Sequence, residues 1–283
     1  MTRVARARPA GPKPKLGQHF LADSSAASRI VEALGDISQR TVLEIGPGRG
    51  ALTSLLASRA RRLIAIELDR VLAAQLRMKF ALWPNVEIIE ADVLAVDLPS
   101  LFAPKPGTTR PGLPFTPEAV RVVGNIPYNI TSDLLLRLFH HRQYFESMVL
   151  MVQREVADRL AAPPGGSEYG LLSATAQLYA RVEKLFALPP GAFAPPPKVH
   201  SAVVRLTMEP RLEALKVPED GFIEFLKLSF GQKRKTLWNN LKAKYEAGLL
   251  KAAFTQADVN PTARAETLSL EESADLYRAL GAT

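Results

Sequence analysis

The chain reads as an α/β protein with a mostly parallel sheet, followed by a small all-helical domain. Three observations predict this. Strand and helix patterns alternate as far as about residue 208. The first strand of that series runs into a glycine-rich turn that opens a helix. After Glu209-Pro210 the strand patterns stop, and leucine and phenylalanine recur at helical spacing.

Thr41-Val42-Leu43-Glu44-Ile45 is the first of these strands, Gly46-Pro47-Gly48-Arg49-Gly50 the turn, and Ala51-Leu52-Thr53-Ser54-Leu55-Leu56-Ala57 the helix. This is how a Rossmann-like nucleotide-binding unit begins, its glycines letting a ligand approach bare backbone. The next strand, Leu63-Ile64-Ala65-Ile66, closes on Glu67. That is about 20 residues beyond the first glycine, where an acidic residue grips a ribose diol. A third strand, Val86-Glu87-Ile88-Ile89, ends near Asp92, a carboxylate able to accept from an adenine amino group.

The β-branched run Val120-Arg121-Val122-Val123-Gly124 then delivers Asn125-Ile126-Pro127-Tyr128. An amide, a proline and an aromatic ring at a strand end suit a flat amine whose lone pair is tied up in a ring. The Asn125 side-chain oxygen accepts an N–H. Pro127 cannot donate, although the carbonyls around it accept. Tyr128 offers a face for a planar base, a contact worth roughly 1–3 kcal/mol per base in nucleic-acid sites. A proline-closed turn with a buried tyrosine is the plain alternative.

Two cofactor classes compete for this unit. Gly46, Gly48 and Ala51 also satisfy the dinucleotide pattern G-x-G-x-x-A. Pro47 argues against a nicotinamide, because it removes a backbone N–H from the turn where a pyrophosphate needs donors. S-adenosylmethionine carries a sulfonium and an amino-acid tail with no phosphate, and it tolerates both Pro47 and Glu44. Glu-x-Gly-x-Gly, Glu67, Asp92 and Asn-x-Pro-Tyr at successive strand ends favour that methyl donor.

Composition narrows the class. The 283 residues carry a net charge of +8 and a sequence pI near 9.8, as expected for a nucleic-acid partner. Length allows one large domain and a smaller one. With no cysteine, disulfides and thiolate metal sites are excluded, and the four histidines show no ligand spacing. No metal is expected. No apolar run approaches the roughly 20 residues that span a bilayer, and Met1 to Lys15 lacks a secretory apolar core. The chain therefore reads as cytoplasmic, without membrane partners and monomeric. Residues 1–15 are basic and proline-rich, a flexible arm suited to phosphate. Ala103 to Pro117, with five prolines and two glycines, reads as a surface insertion rather than an RNA contact.

Leu134, Leu135, Leu138 and Phe139 mark the helix after the Asn125 turn. Glu183 to Phe193 and Val199 to Leu206 read as the last pair of strands, with proline-rich chain between them. Phe222, Phe225, Leu226 and Leu228 begin the helical series, and Leu276 and Leu280 end it. Its opening segment carries Lys233, Arg234, Lys235, Lys242 and Lys244 around Trp238. Basic residues interleaved with one aromatic bind RNA backbone; the alternative is a solvated face with Trp238 packed inward.

These motifs together resemble the ribosomal RNA adenine dimethyltransferases, a family that includes macrolide-resistance methylases and mitochondrial relatives. The resemblance covers nearly the whole chain. It runs from Leu16-Gly17-Gln18-His19-Phe20-Leu21 through Glu44-Ile45-Gly46-Pro47-Gly48 and Gly124-Asn125-Ile126-Pro127-Tyr128 to Gln153-Arg154-Glu155-Val156. Phe193-Ala194-Pro195-Pro196-Pro197-Lys198-Val199-His200-Ser201 and Gln232-Lys233-Arg234-Lys235-Thr236-Leu237 complete it. Within the family the set resembles the housekeeping bacterial branch, which dimethylates two adjacent adenosines near the 3′ end of small-subunit (16S) rRNA. The resemblance implies that His19 and Leu21 border the methionine end of S-adenosylmethionine and that Gly46 lies under it. It further implies that Glu67 holds the ribose hydroxyls, Asp92 reads the adenine, and Asn125 sits between donor methyl and substrate amine. Many relatives have asparagine where this chain has His19. Pro127 and Tyr128 complete the amine site, and Phe193 resembles the aromatic that covers the base from the other side; a core-capping Phe is its alternative. Lys233, Arg234 and Lys235 would bind RNA, and the small ribosomal subunit would be the partner. The expected organisation is a basic arm at 1–15, a catalytic domain at 16–208 and a helical RNA-binding domain at 209–283. A large-subunit resistance methylase and an assembly factor with incidental methylation are the competing functions. A DNA amino-methyltransferase would normally carry an acidic residue at position 125.

Overall fold

The computed structural model describes residues 19–102 and 119–281. The basic arm, the Leu16-Gly17-Gln18 start of the first motif and the 103–117 insertion lie outside the described residues. The chain opens with a two-residue strand, β1 (Phe20–Leu21), and helix α1 (Ser24–Glu32). Asp23 caps α1 by accepting the Ala26 N–H at 3.0 Å. Then β2 (Thr41–Ile45), α2 (Ala51–Ala57), β3 (Arg62–Glu67), α3 (Arg70–Lys79) and β4 (Val86–Glu90) alternate. Asp69 starts α3 by accepting from the Val71 and Leu72 N–H groups.

A short α4 (Leu98–Phe102) precedes β5 (Val120–Asn125), α5 (Thr131–His140), β6 (Phe145–Gln153), α6 (Arg154–Leu160) and α7 (Leu171–Tyr179). The sheet is completed by β7 (Ala180–Leu188) and β9 (Ser201–Met208), between which lies the two-residue β8 (Phe193–Ala194). Strand order across the seven-stranded sheet is β4-β3-β2-β5-β6-β9-β7. The first five are mutually parallel, while β9 pairs antiparallel with both β6 and β7. β2 is buried along its whole length, as a central parallel strand is, and it carries the polar Glu44 into that interior.

The last strand pair differs from its sequence-based bounds. β7 starts at Ala180 and stops at Leu188, because Pro189 and Pro190 offer no N–H to extend the ladder. Phe193 therefore leaves the main sheet. With Ala194 it pairs antiparallel with Phe20 and Leu21, Leu21 opposite Phe193, and ties the start of the described chain to the proline-rich segment.

Beyond Met208 every element is helical: α8 (Leu212–Leu215), α9 (Glu219–Ser229), α10 (Leu237–Leu241), α11 (Ala247–Gln256) and α12 (Leu270–Ala279). α12 begins with a reciprocal cap between Ser269 and Glu272. Phe222 and Phe225 stack, and Tyr277 meets both rings edge-on. Burying each such ring contributes about 1.5–3 kcal/mol. These side chains join one continuous apolar cluster with Leu135, Leu138, Phe139 and Leu178 under the sheet. Arg142, in the turn before β6, and the Tyr179 hydroxyl, at the end of α7, both bond Glu219, so the start of α9 is fixed to the α/β part by polar contacts as well.

Candidate active site

Glycine positions shape the floor of the site. Gly46 and Gly48 both have positive φ, +65° and +56°, which a side chain would strain. A Cβ on Gly48 would stand 2.8 Å from the Phe20 ring, so Phe20 lies directly over the turn. Arg49 stacks its guanidinium 4.7 Å from the centre of that ring.

Glu67 is only 4 % exposed, yet both of its oxygens are satisfied. One accepts the Gly48 N–H and the other the Asp69 N–H, each at 2.9 Å. The carboxylate is thus aimed by backbone. Each oxygen keeps a second lone pair, so two further donors, such as a vicinal diol, can still be taken. Asp92, exposed near the end of β4, is oriented by accepting the Leu94 N–H at 2.9 Å.

Asn125 ends β5, and its orientation follows from chemistry. Its side-chain nitrogen lies 2.7 Å from the His19 carbonyl, which only accepts, so the amide must turn its NH2 there. The Oδ1 acceptor is thereby left for something else. The Pro127 carbonyl is already engaged by the Ile130 N–H at 3.1 Å and the Thr131 hydroxyl at 3.2 Å. Of the two acceptors, Asn125 Oδ1 is thus the free one, and the Pro127 carbonyl is spent in holding the turn. Tyr128 is half-buried and anchored by a 2.9 Å hydrogen bond between its hydroxyl and Ser201 Oγ.

These groups line a single cleft with about 900 Å3 of free space, part of it open to solvent. His19, Gly46, Glu67, Asp92, Asn125, Pro127 and Tyr128 all border it. Phe20 and Leu68, which the sequence reading did not assign, border it too; Leu68 is 45 % exposed, an unusual place for leucine. Among the described residues, the cleft's ionisable lining is the two carboxylates Glu67 and Asp92, His19 and Tyr128, with no lysine or arginine. That lining fits a cationic sulfonium donor and does not fit a dinucleotide pyrophosphate. Among the described residues no cluster of histidine and carboxylate side chains could hold a metal ion.

Two expected site residues lie elsewhere. Phe193 is 4 % exposed and packs in the core with Leu21, Leu188 and Ala192, away from the cleft lining. Ladder pairing with β1 turns it inward, the core-capping alternative. Leu21 is buried in the same cluster, so its backbone rather than its side chain is the part that can reach a ligand.

Glu44 lies beneath the site and is 1 % exposed, with its Oε2 unpaired, as is the neighbouring Thr53 hydroxyl. Burial pushes its carboxyl up to about 8, against smaller opposing effects from Thr53. Burial thus favours the uncharged carboxyl. The basic block sits in the turn between α9 and α10, not on a helix. Lys233, Arg234 and Lys235 are exposed there, and Lys233 donates to the Ser167 carbonyl at 3.2 Å. Trp238 packs inward against Phe254, as its alternative reading had it. A separate surface hollow is lined by Gln153, Arg154, Glu155, Lys198, Val199 and His200, next in the chain to the Tyr128 anchor Ser201.

Comparison with known proteins agrees with this geometry. A family model described as ribosomal RNA adenine dimethylase matches residues 11–281. A protein of Koribacter versatilis named ribosomal RNA small subunit methyltransferase A is 59 % identical over 268 residues, covering 95 % of this chain and 94 % of that one. Its namesake from Acidobacterium capsulatum is 56 % identical over 269 residues, covering 95 % and 91 %. Among solved structures, a dimethyladenosine transferase from Plasmodium falciparum superposes with a TM-score of 0.73 at 26 % identity, covering 93 % of this chain and 99 % of that one. A 23S rRNA methyltransferase gives a TM-score of 0.69 at 29 % identity with the same coverage. The family match over residues 11–281 and the two relatives at 59 % and 56 % identity accord with this acidic, amide-edged cleft: the chain belongs to the ribosomal RNA adenine dimethylase family.

Proposed function

We propose that this protein uses S-adenosylmethionine to dimethylate the exocyclic N6 amines of two adjacent adenosines in the 3′-terminal hairpin of 16S rRNA. The observation that carries the choice of subunit is full-length identity of 59 % and 56 % to relatives named for the small subunit. Similarity to a large-subunit enzyme at 29 % identity is weaker support for the alternative. The small ribosomal subunit is the partner, and the enzyme acts in the cytoplasm as a monomer. Among the described residues no helix is long and apolar enough to cross a membrane. Residues 16–208 form the catalytic domain and 209–283 the helical RNA-binding domain, a division supported by the end of the last strand at Met208.

The bound donor supplies an electrophilic methyl group. What the chain supplies is position and polarity. Gly46 gives close backbone approach, Glu67 takes the ribose hydroxyls and Asp92 the adenine amino group. Asn125 Oδ1 accepts an N–H of the substrate amine as its nitrogen becomes tetrahedral. This dipole is already aimed by the bond to His19, so little reorganisation accompanies the reaction. Tyr128 stacks on the base and gains a cation–π contribution of about 0.5–2 kcal/mol as positive charge grows. The target base leaves its stack to enter the slot. Lys233, Arg234 and Lys235 hold RNA phosphates outside it.

The test incubates purified protein and labelled donor with undermethylated small subunits, large subunits and duplex DNA in parallel. Label is expected in the small subunit. Label confined to the large subunit overturns the assignment.

A further inference from the structure

We propose that Asn129 reads the 2′-hydroxyl of the target adenosine and so makes the slot selective for ribonucleotides over deoxyribonucleotides. The inference rests on the reading of the cleft as an adenine methyltransferase site and names the group by which that site tells RNA from DNA.

Neither group that handles the base can sense the sugar. Asn125 Oδ1 meets an amine and Tyr128 a ring face, and both features are the same in a deoxynucleotide. The two sugars differ by one hydroxyl, which donates and accepts. Its reader needs a free polar group at the rim, where the backbone runs once the base has turned into the slot. Four of the residues lining the cleft are exposed: Leu68, Asp92, Pro127 and Asn129. Leu68 and Asp92 follow β3 and β4, two and three strands across the sheet from β5, which is about 10 Å or more. Pro127 has no N–H, and its carbonyl is spent on Ile130 and Thr131. Asn129 remains.

Its setting suits the task. Asn129 lies in a single 3-10 turn, Tyr128–Ile130, between β5 and α5. Successive side chains on such a turn point about 120° apart. Tyr128 is directed at Ser201 by its 2.9 Å hydroxyl contact, so Asn129 leaves the same turn in another direction while still bordering the cleft. The Ile130 N–H on the Pro127 carbonyl, at 3.1 Å, closes this turn and fixes the Asn129 backbone. No group among the described residues hydrogen-bonds the Asn129 side-chain amide. Its Oδ1 and Nδ2 thus offer an acceptor and donors to a hydroxyl beside the Tyr128 ring.

The experiment uses undermethylated small subunits reconstituted with 16S rRNA joined by ligation. The two target nucleotides carry ribose, 2′-deoxyribose or 2′-fluororibose; the fluoro sugar keeps the ribose pucker without the donor. Initial rates with the full-length protein give kcat/KM for each, and calorimetry gives donor affinity. Wild type is expected to favour ribose over both analogues by roughly 3- to 10-fold, the worth of one neutral hydrogen bond. Asn129→Ala should fall by that factor on ribose alone, which erases the preference and leaves donor affinity unchanged. Asn129→Leu, similar in volume to the native side chain but without a polar atom, should behave as the alanine variant does.

Three results overturn the assignment. In one, wild type treats ribose and 2′-fluororibose alike, so no hydroxyl donor is read. In another, both variants keep the wild-type preference, and the hydroxyl is read elsewhere. In the third, donor affinity falls together with kcat/KM on all three substrates, which places Asn129 with the cofactor. Failure of the underlying reading looks different: the wild-type protein then methylates none of the subunits.

Discussion

The cofactor end of the cleft and the basic turn between α9 and α10 are built in opposite ways. At the cofactor end, Glu67 is buried with an N–H on each oxygen, and a Cβ on Gly48 would collide with Phe20. At the basic turn, Lys233, Arg234 and Lys235 are exposed. One region recognises by fixed geometry, where moving any part disturbs the rest. In the proposed function the other recognises by charge, where long side chains find phosphates after encounter. Losses in the first should be steep and insensitive to salt, and losses in the second shallow and strongly salt-dependent.

Asn125→Ala should give the largest effect, lowering turnover by roughly 10²- to 10³-fold while donor binding by calorimetry persists. Equal turnover in the variant would remove Asn125 from the reaction. Glu67→Ala should come next, weakening donor affinity by roughly 10- to 150-fold, the worth of charge-assisted hydrogen bonds. Unchanged calorimetry would count against the ribose role. Replacing Lys233, Arg234 and Lys235 together by alanine should cost about tenfold in RNA affinity and flatten its logarithmic salt dependence by about 2. If affinity drops with no change in salt slope, the turn shapes the fold rather than binding phosphate.

The smallest effect on activity, and the sharpest on stability, concerns Glu44. Its carboxyl sits at about 8 in the folded protein against an ordinary 4.5. Between those values the folded chain binds the extra proton, so stability falls as pH rises. The contribution of Glu44 is most favourable below about 4.5 and is lost as pH approaches 8. Glu44→Gln should therefore leave unfolding free energy almost unchanged near pH 4.5 and raise it at pH 8, by on the order of a few kcal/mol, seen as a higher melting temperature at pH 8 alone. Parallel wild-type and variant curves across that range would mean that Glu44 is already ionised in the fold.

The parts of the site that sit at strand ends were legible in the sequence. Gly46, Glu67, Asp92 and Asn125 each follow a recognisable apolar run, and parallel strands bring their carboxyl ends to one edge. What was not legible depends on pairing between distant segments. Nothing near Phe193 in the chain announces that it will face Leu21, or that His19 will reach Pro195 across 176 positions. A strand of two residues has no periodicity to read, so Phe193 was assigned to the slot by resemblance alone. The Tyr128 anchor at Ser201 was hidden for the same reason. Arg49 against Phe20 is likewise a contact that only the folded chain creates.

Pairing of β1 with β8 spans just two residue pairs, supported by the Ala22 and Asp23 N–H groups on the Ala192 carbonyl. Adding two methyl groups to one base means that a spent donor must depart and a fresh one arrive between transfers. This latch carries Phe20 over the glycine turn and sets His19 beside Tyr128, while the seven-stranded sheet is paired independently of it. Two residue pairs therefore fasten the start of the described chain across the mouth of the cleft, so the cleft's shape depends on a contact far smaller than the sheet that underlies it.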